Sequence, residues 1–181
     1  MAQGSYLAGR VIVTTGDITS VAVDAIVNAA NAALMGGSGV DGEIHRRGGP
    51  AIMAACREIR STRYPDGLPV GEAVLTTAGN LPARFVVHTV GPIWDADERA
   101  SKLLGSCYRR AIELFDAEGL HSIAFPAIST GAYGYPKDRA AAVASKAIAD
   151  ALGKAHSVRR VHLVFFTDAD RATFCKHQRF E

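Results

Sequence analysis

The sequence has few cysteines, few aromatic residues and no long apolar run, and each shortage excludes a class of protein. Its three cysteines, Cys56, Cys107 and Cys175, lie far apart and form no Cys-x-x-Cys pair, so neither a disulfide framework nor a cysteine-rich zinc module is predicted. Residues 1–9 lack the apolar segment of a secretory signal. No uncharged stretch is long enough to cross a bilayer. We therefore expect a cytoplasmic protein that does not associate with membranes.

The sequence also lacks a block of basic residues. Twenty lysines and arginines are interspersed with 18 acidic residues, for a net charge of +2, so nucleic acid is not an expected partner. Hydrophobic residues make up 48% of the 181 positions, enough to bury a sizeable core. The length and the absence of a linker predict one domain over residues 1–181, which we expect to be a monomer.

Six short runs rich in Val, Ile and Phe are apolar on both faces, as strands covered by helices on two sides are. They lie at residues 11–15, 25–29, 73–78, 85–90, 122–125 and 161–166. The turn at 79–84 predicts that the third and fourth are antiparallel neighbours. Helical periodicity lies between the others, with a start at Pro50, an end at Gly153 and a last helix near Asp168. The alternation predicts an α/β fold with a mixed, mainly parallel sheet.

Two loops are richer in glycine than the rest, and both follow predicted strands. They span residues 28–45 and 126–136. In an open α/β sheet ligands bind beyond the carboxyl ends of the strands, so both loops are expected at one crevice. Glycines let backbone amides approach an anion closely, and neither loop carries Lys or Arg before its helix begins. A diphosphate held by backbone amides is the chemical expectation, and long connections that need glycine only for turns are the weaker alternative.

Two better-known phosphate motifs do not fit. Residues Gly37 to Gly42 match G-x-G-x-x-G, but the match does not begin at the strand end, and no acidic residue follows a second strand about 20 positions on. No Gly-Lys-Ser/Thr of a P-loop occurs. Nicotinamide redox chemistry and P-loop phosphoryl transfer are therefore disfavoured.

Several spaced motifs resemble the macrodomain family, and specifically its MacroD-type branch. They are Gly16-Asp17-Ile18-Thr19, the segment 23–31, the segment 39–45 and the second loop at 129–136. The resemblance runs from about Arg10 to Phe166. It implies a three-layer α/β/α sandwich around a six-stranded sheet, with ADP-ribose as ligand and mono-ADP-ribosylated proteins as partners. It also implies release of ADP-ribose from acidic residues and deacetylation of O-acetyl-ADP-ribose, without a metal or other cofactor.

The resemblance implies roles for individual residues. At the reacting end, Asn31 would hold the distal ribose, Asp41 would align a water, and His45 would orient Asp41, with Asn28 supporting the loop. At the other end, Asp17 and the Ile18 amide would bind adenine and Phe166 would pack on it. The diphosphate would rest on backbone amides of Gly39, Val40, Ser129, Thr130, Gly131, Ala132 and Tyr133, and the ring of Tyr133 would wall the distal ribose.

Each role has a structural alternative. Asp17 and Asn31 could be turn residues, Asp41 a helix cap, His45 a surface or packing residue, and Phe166 part of the core. An ionised Asp41 would be a weak base, which favours positioning water over strong proton abstraction. The remaining histidines show no metal-ligand spacing, so zinc is not expected.

Ser38 departs from the branch, because it interrupts a glycine run. If that position required a positive φ, a serine would cost of the order of 1 kcal/mol. A reader that binds ADP-ribose without hydrolysing it is therefore the alternative function.

Overall fold

The computed structural model describes residues 4–180, and all six predicted strand segments form strands in it. The strands are β1 (Gly4–Tyr6), β2 (Val11–Thr15), β3 (Ala25–Ala30), β4 (Ala73–Thr77), β5 (Phe85–Val90), β6 (Ser122–Phe125) and β7 (Arg160–Phe165). They build one sheet in the order β1-β2-β7-β6-β3-β5-β4. The neighbours from β2 to β5 are parallel, and β4 pairs with β5 antiparallel, as the turn at 79–84 predicts.

The sheet has seven strands, so the expectation of six was one too few. The additional strand, β1, pairs antiparallel with β2, with Gly4 opposite Val13 and Tyr6 opposite Val11. Three residues, Gly-Ser-Tyr, are too short to show an alternating pattern in the sequence. Tertiary contacts hold the strand instead: the Tyr6 ring stacks on Phe180 with centroids 5.1 Å apart.

Within residues 4–180, a short 3₁₀ helix (Ile18–Ser20) and four α-helices lie between the strands, and a fifth α-helix follows β7. The helices are α1 (Gly39–Gly48), α2 (Pro50–Thr62), α3 (Glu98–Ala117), α4 (Lys137–Lys154) and α5 (Asp168–His177). Pro50 occupies the first turn of α2, as predicted. Helix α4 does not end at Gly153 but continues to Lys154, and Ala155 is its C-cap residue. Gly153 does not adopt the left-handed conformation that ends a helix. None of the helices within residues 4–180 is long and apolar enough to cross a membrane.

Alternate residues of the sheet face two separate apolar layers, which makes the fold a three-layer α/β/α sandwich. On β3, Ala25 and Val27 pack towards α3, α4 and α5. Ile26 and Ala30 of the same strand pack towards α1 and α2. Asn28 has the same orientation as Ile26 and Ala30, yet it is polar and completely buried. The fold therefore inserts a polar side chain into the layer beneath α1 and α2.

Candidate functional site

A cleft of about 950 Å³ opens at the carboxyl ends of the central parallel strands. The residues that directly follow β2, β3, β6 and β7 line it, namely Gly16, Asn31, Pro126 and Phe166. Parallel strands end at one edge of a sheet, so loops distant in sequence meet there. Both glycine-rich loops reach this cleft, as the sequence analysis expected.

The second loop presents a row of free backbone amides to the cleft. Within residues 4–180, the amides of Thr130, Gly131, Ala132 and Tyr133 donate to no protein acceptor. The loop keeps its shape through other bonds: the Tyr135 amide donates to the Ser129 carbonyl over 2.9 Å, and the Trp94 amide donates to the Tyr133 carbonyl over 2.9 Å. Such consecutive free amides form a concave site for an anion.

Ser129 is the strained residue of this loop. It has a φ of 65°, a conformation uncommon for a residue other than glycine, and its side chain is buried. A Cβ on Gly91 would collide with the Ser129 hydroxyl oxygen, so only glycine fits at position 91. Strain of this kind concentrates at ligand-binding loops because the surrounding structure must hold it in place.

Ser38, in contrast, carries no strain. Its φ of −100° and ψ of −178° are those of an extended residue that precedes helix α1, which any amino acid adopts. The positive φ in this segment belongs to Gly36 (81°) and Gly39 (62°). The condition under which Ser38 would be costly is therefore not met. The first amides of α1, at Gly39 and Val40, lie beside the cleft with the positive end of the helix dipole.

The predicted reacting end comes together around Asp41 in the first turn of α1. Asp41 is 5% exposed, and its Oδ1 accepts a hydrogen bond of 2.8 Å from Asn28 Nδ2. His45 Nε2 lies 3.5 Å from the same oxygen, beyond a good hydrogen bond. Oδ2 faces Gly37, where a Cβ would stand 3.1 Å from it. The two carboxylate oxygens thus have different surroundings, one tied to the core and the other beside the cleft wall.

Asn31 lies next to this carboxylate. Its Nδ2 donates to the Gly36 carbonyl over 3.0 Å, so one amide proton shapes the first loop. Its Oδ1 is buried without a partner within the described chain. A buried unsatisfied acceptor is costly unless a ligand or water completes it. The amide therefore both supports the loop and offers a free oxygen at the cleft.

Two further side chains, those of Cys56 and His88, meet His45 behind Asp41, and spacing in the sequence did not connect them. His45, Cys56 and His88 each place a potential metal-ligand atom within 4.8 Å of the others. Burial, helped by the Asp41 charge, raises the pKa of Cys56 to about 11, so the thiol keeps its proton at neutral pH. Burial, with the nearby His45, lowers the pKa of His88 to about 3, which keeps its ring neutral. Both ring nitrogens of His88 already have partners, Asn28 and Thr76.

The far end of the cleft holds Asp17, Ile18 and Phe166. Asp17 Oδ1 accepts from the Thr19 amide over 2.9 Å, which is the turn-capping contact foreseen as an alternative role. Its Oδ2 pairs with Arg47 at 3.1 Å. Phe166 is 86% exposed, so it is not a core residue. An aromatic ring held in water at the rim of a cleft is suited to stack on a planar ligand.

Sequence reasoning missed two basic residues that line the cleft, Arg47 and Lys137. Arg47 pairs with Glu43 and Asp17, and Lys137 donates to Asp170 over 2.6 Å. Both lie in helices that follow the glycine-rich loops. Their position within the first three turns of those helices was the available signal. Because Arg47 and Lys137 are both paired with carboxylates, the free donors that face the cleft are still backbone amides.

The fold and the cleft define a class: a three-layer α/β/α protein with a cleft lined by free backbone amides at the carboxyl edge of its sheet. The Macro domain family model matches residues 27–144, and the chain belongs to the macrodomain family, as the motifs predicted. It is 47% identical over 174 residues to an O-acetyl-ADP-ribose deacetylase of Cronobacter sakazakii, covering 96% of this chain and 94% of that one. It is 59% identical over 133 residues to a macro domain-containing protein of Streptomyces griseus, covering 74% and 75%.

Solved structures agree with this assignment. The Oceanobacillus iheyensis macrodomain with ADP superposes with a TM-score of 0.91 at 41% identity, covering 97% of this chain and 94% of that one. The Trypanosoma brucei macrodomain in complex with ADP-ribose gives a TM-score of 0.82 at 36% identity, covering 93% and 68%.

Proposed function

We propose that this macrodomain binds ADP-ribose and hydrolyses ADP-ribosyl esters, both O-acetyl-ADP-ribose and mono-ADP-ribose on acidic residues of proteins. The observation that carries the proposal is Asp41: one oxygen is fixed by Asn28 at 2.8 Å, and the other stands at the cleft wall. The deacetylase name of the Cronobacter sakazakii relative and the ADP-ribose bound to the Trypanosoma brucei relative support the same substrate class.

In this proposal the diphosphate lies on the free amides of 130–133 and on the first turn of α1. These two sets of amides lie on opposite sides of the cleft. A diphosphate bound between them would fix the direction in which the rest of the ligand extends. Adenine then extends towards Asp17, the Ile18 amide and the exposed ring of Phe166. The distal ribose lies against Tyr133, with its hydroxyls near the unpartnered Oδ1 of Asn31.

The proposed chemistry uses one water aligned by Asp41. With a protein ester, the water oxygen bonds to the anomeric carbon of the distal ribose while the bond to the carboxyl oxygen breaks. The carboxylate leaves and the proton of the water is released. With O-acetyl-ADP-ribose, the water oxygen bonds to the acetyl carbonyl carbon and the bond from that carbon to the ribose oxygen breaks. The ribose oxygen takes one proton of the water, and acetate leaves as the other proton is released. Positioning provides most of the rate in such a site, because it contains no strong nucleophile.

The reader alternative loses its main argument. It rested on backbone strain at Ser38, and Ser38 is in an extended conformation. A requirement for a metal is also disfavoured, because both ring nitrogens of His88 already have protein partners, Asn28 and Thr76. We therefore expect activity to survive a chelator, and activity that was lost with a chelator and restored by zinc would refute this part of the proposal.

One assay separates hydrolase from reader. The protein is incubated with O-acetyl-ADP-ribose and, separately, with a protein ADP-ribosylated on carboxylates, and free ADP-ribose is measured. Calorimetry on the same sample should show micromolar binding of ADP-ribose, roughly −8 kcal/mol, and weaker binding of NAD. Binding without release from either ester would establish a reader. Binding of NAD as tight as that of ADP-ribose would reject this assignment of the cleft.

A further inference from the structure

Asn28, His88 and Thr76 form a hydrogen-bonded chain that leads from Asp41 into the core. Asn28 on β3 is in register with His88 on the neighbouring parallel strand β5. Both side chains have no exposed surface, and Thr76 is 5% exposed. They lie in the layer that is otherwise filled by apolar residues such as Ile26, Val86 and Ile44. A polar chain in such surroundings requires an explanation beyond packing.

The positions of the protons in this chain follow from its bonds. The Thr76 hydroxyl donates to the Thr77 carbonyl over 2.9 Å, so its oxygen is free to accept. His88 Nε2 lies 2.8 Å from that oxygen and therefore carries the ring proton. The other nitrogen, Nδ1, is then an acceptor, and Asn28 Nδ2 stands 3.1 Å from it. This assignment gives each of these bonds one donor and one acceptor. It leaves Asn28 Oδ1 as a buried acceptor without a partner among residues 4–180.

The hydrogen-bond partners also determine the orientation of the Asn28 amide. Nδ2 has two protons, one directed at Asp41 Oδ1 and the other at His88 Nδ1. Rotating the amide by half a turn would bring Oδ1 against the carboxylate and against the lone pair of the imidazole at once. Because His88 is neutral and holds its proton on Nε2, it disfavours that rotation. Asn28 is thereby held as a donor to the carboxylate.

We propose that His88 is a positioning residue for Asp41: acting through Asn28, it holds Oδ1 in the core and leaves Oδ2 directed at the cleft. The proposal rests on the proposed function, in which that second oxygen aligns the attacking water. His88 itself does not touch the substrate. Its effect is confined to the orientation of one amide, and therefore to the rate of the chemical step more than to ligand affinity.

Two substitutions separate this role from ordinary packing. In His88→Asn, the amide oxygen can take the place of Nδ1 and accept from Asn28, while the bond to Thr76 is lost. In His88→Gln, the amide nitrogen can take the place of Nε2 and donate to Thr76, while the acceptor for Asn28 is lost. Each variant keeps one of the two bonds and removes the other, in a side chain smaller than imidazole.

The expected result is a difference in rate between the two variants at similar affinity. Single-turnover release from O-acetyl-ADP-ribose should fall about tenfold to a hundredfold in His88→Gln. An Asn28 amide that is no longer held by His88 loses its bond to the Asp41 carboxylate, and one bond to a charged group is worth about that much. His88→Asn should retain the rate within about threefold, and both should bind ADP-ribose within about threefold of wild type. Equal losses of rate in the two variants, in proportion to their melting temperatures, would assign His88 to packing and overturn the proposal. A wild-type rate in His88→Gln would overturn it too.

A measurement on the unmodified protein covers the case in which a variant fails to fold. NMR of histidine labelled on its ring nitrogens distinguishes the two neutral tautomers, and the His88→Asn spectrum or selective assignment identifies His88. A neutral ring with its proton on Nε2 at pH 7 is expected. A proton on Nδ1 would overturn the proposal, and so would a metal bound at Nε2 after titration with zinc.

Turnover by Asp41→Asn distinguishes failure of the proposed function from failure of the inference about His88. If Asp41→Asn retained wild-type turnover, the proposed function would fail, whatever His88 did. If Asp41→Asn abolished turnover and His88→Gln did not reduce it, only the inference about His88 would fail.

Discussion

Replacing Asp41 by asparagine should stop turnover while leaving the fold and the ligand site in place. The side chain is 5% exposed and accepts from Asn28 Nδ2 at 2.8 Å. An asparagine at this position has one acceptable orientation, since its Oδ1 must face the Asn28 donor. Its Nδ2 then replaces the cleft-side oxygen, so a donor stands where water needs an acceptor. Asp41→Asn therefore alters the chemical step and little else.

The expected magnitudes follow from that single exchange. A bond from Asn28 to a charged oxygen becomes a bond to a neutral one, which lowers the free energy of unfolding by about 1 kcal/mol. The 3.5 Å separation from His45 Nε2 adds little, because it is too long for a strong bond. Loss of the proton acceptor should lower the single-turnover rate by about 10²–10⁴-fold. Affinity for ADP-ribose should change by no more than about threefold, since Asp41 acts only as the bond breaks.

The assay pairs calorimetry for ADP-ribose with single-turnover release from O-acetyl-ADP-ribose, and urea unfolding monitors stability. Asp41→Ala is the companion variant, because it leaves the Asn28 donor buried without an acceptor and should cost about 1–3 kcal/mol more. Wild-type turnover by Asp41→Asn would refute the mechanism. Equal loss of binding and rate in Asp41→Ala, with Asp41→Asn normal in both, would make Asp41 a structural cap of α1.

Three further predictions concern other parts of the molecule. Asp17→Ala should weaken ADP-ribose binding about tenfold to a hundredfold and leave the rate at saturation nearly unchanged; a rate loss without an affinity loss in calorimetry and kinetics would contradict the adenine role. Gly131→Glu should fold, because no protein atom lies within 4 Å of a Cβ there, and should lose the ligand, because the carboxylate would enter the diphosphate site. Gly153→Glu, equally unhindered on α4, is the matched control. Normal binding by Gly131→Glu would show that the diphosphate does not bind at this loop. Because burial lowers the pKa of His88 to about 3 from 6.5, the unfolded chain binds a proton below pH 6.5 that the native protein does not. The stability that this neutral ring contributes is complete above pH 6.5 and lost on acidification towards pH 3, by about 1.4 kcal/mol per pH unit. Urea unfolding between pH 6.5 and pH 4 should show a steeper loss of stability for wild type than for His88→Asn. The slope that remains in the variant comes from other groups, such as His162, whose pKa burial also lowers, and parallel curves would contradict the prediction.

The central strands could be predicted from the sequence because both of their faces are buried. The runs of β3 and β5 are short and mostly apolar, with Val, Ile or Phe, and only Asn28, His88 and Thr89 interrupt them. Segments of this length and composition favour buried strands. Strand β1 offers no such pattern. Its three residues pair only because Val11 and Val13 of β2 are already in place, and that information is tertiary.

The backbone conformation of the loops was harder to predict from the sequence. Ser38 attracted attention because it interrupts glycines, yet the residue with a positive φ is Ser129. Nothing in the local sequence distinguishes the two serines. The left-handed conformation of Ser129 depends on its carbonyl accepting from the Tyr135 amide and on the narrow space beside Gly91. The first contact lies within the loop, and the second requires β5, which lies across β3 from β6.

The support behind Asp41 was the part that spacing could not reveal. Asn28 and His88 are 60 positions apart, and they meet because β3 and β5 pair in parallel register. Thr76 joins them through the antiparallel pairing of β4 and β5. A search for ligand spacing along the chain treats His88 as an isolated histidine. The sheet register places His88 beside Asn28, and through Asn28 it is linked to the Asp41 carboxylate.

The two oxygens of Asp41 show why this polar chain belongs in an apolar layer. A carboxylate with both oxygens in the cleft could rotate freely, and an aligned water would then depend on a mobile acceptor. A carboxylate with both oxygens in the core would have no access to water. Asn28 holds one oxygen inside, and the open backbone at Gly37 leaves room for the other, since even one added carbon would lie 3.1 Å from it. The bonds among Asn28, His88 and Thr76 offset much of the cost of burying these side chains, although Asn28 Oδ1 has no partner within the described residues. The core can therefore hold the carboxylate in one orientation.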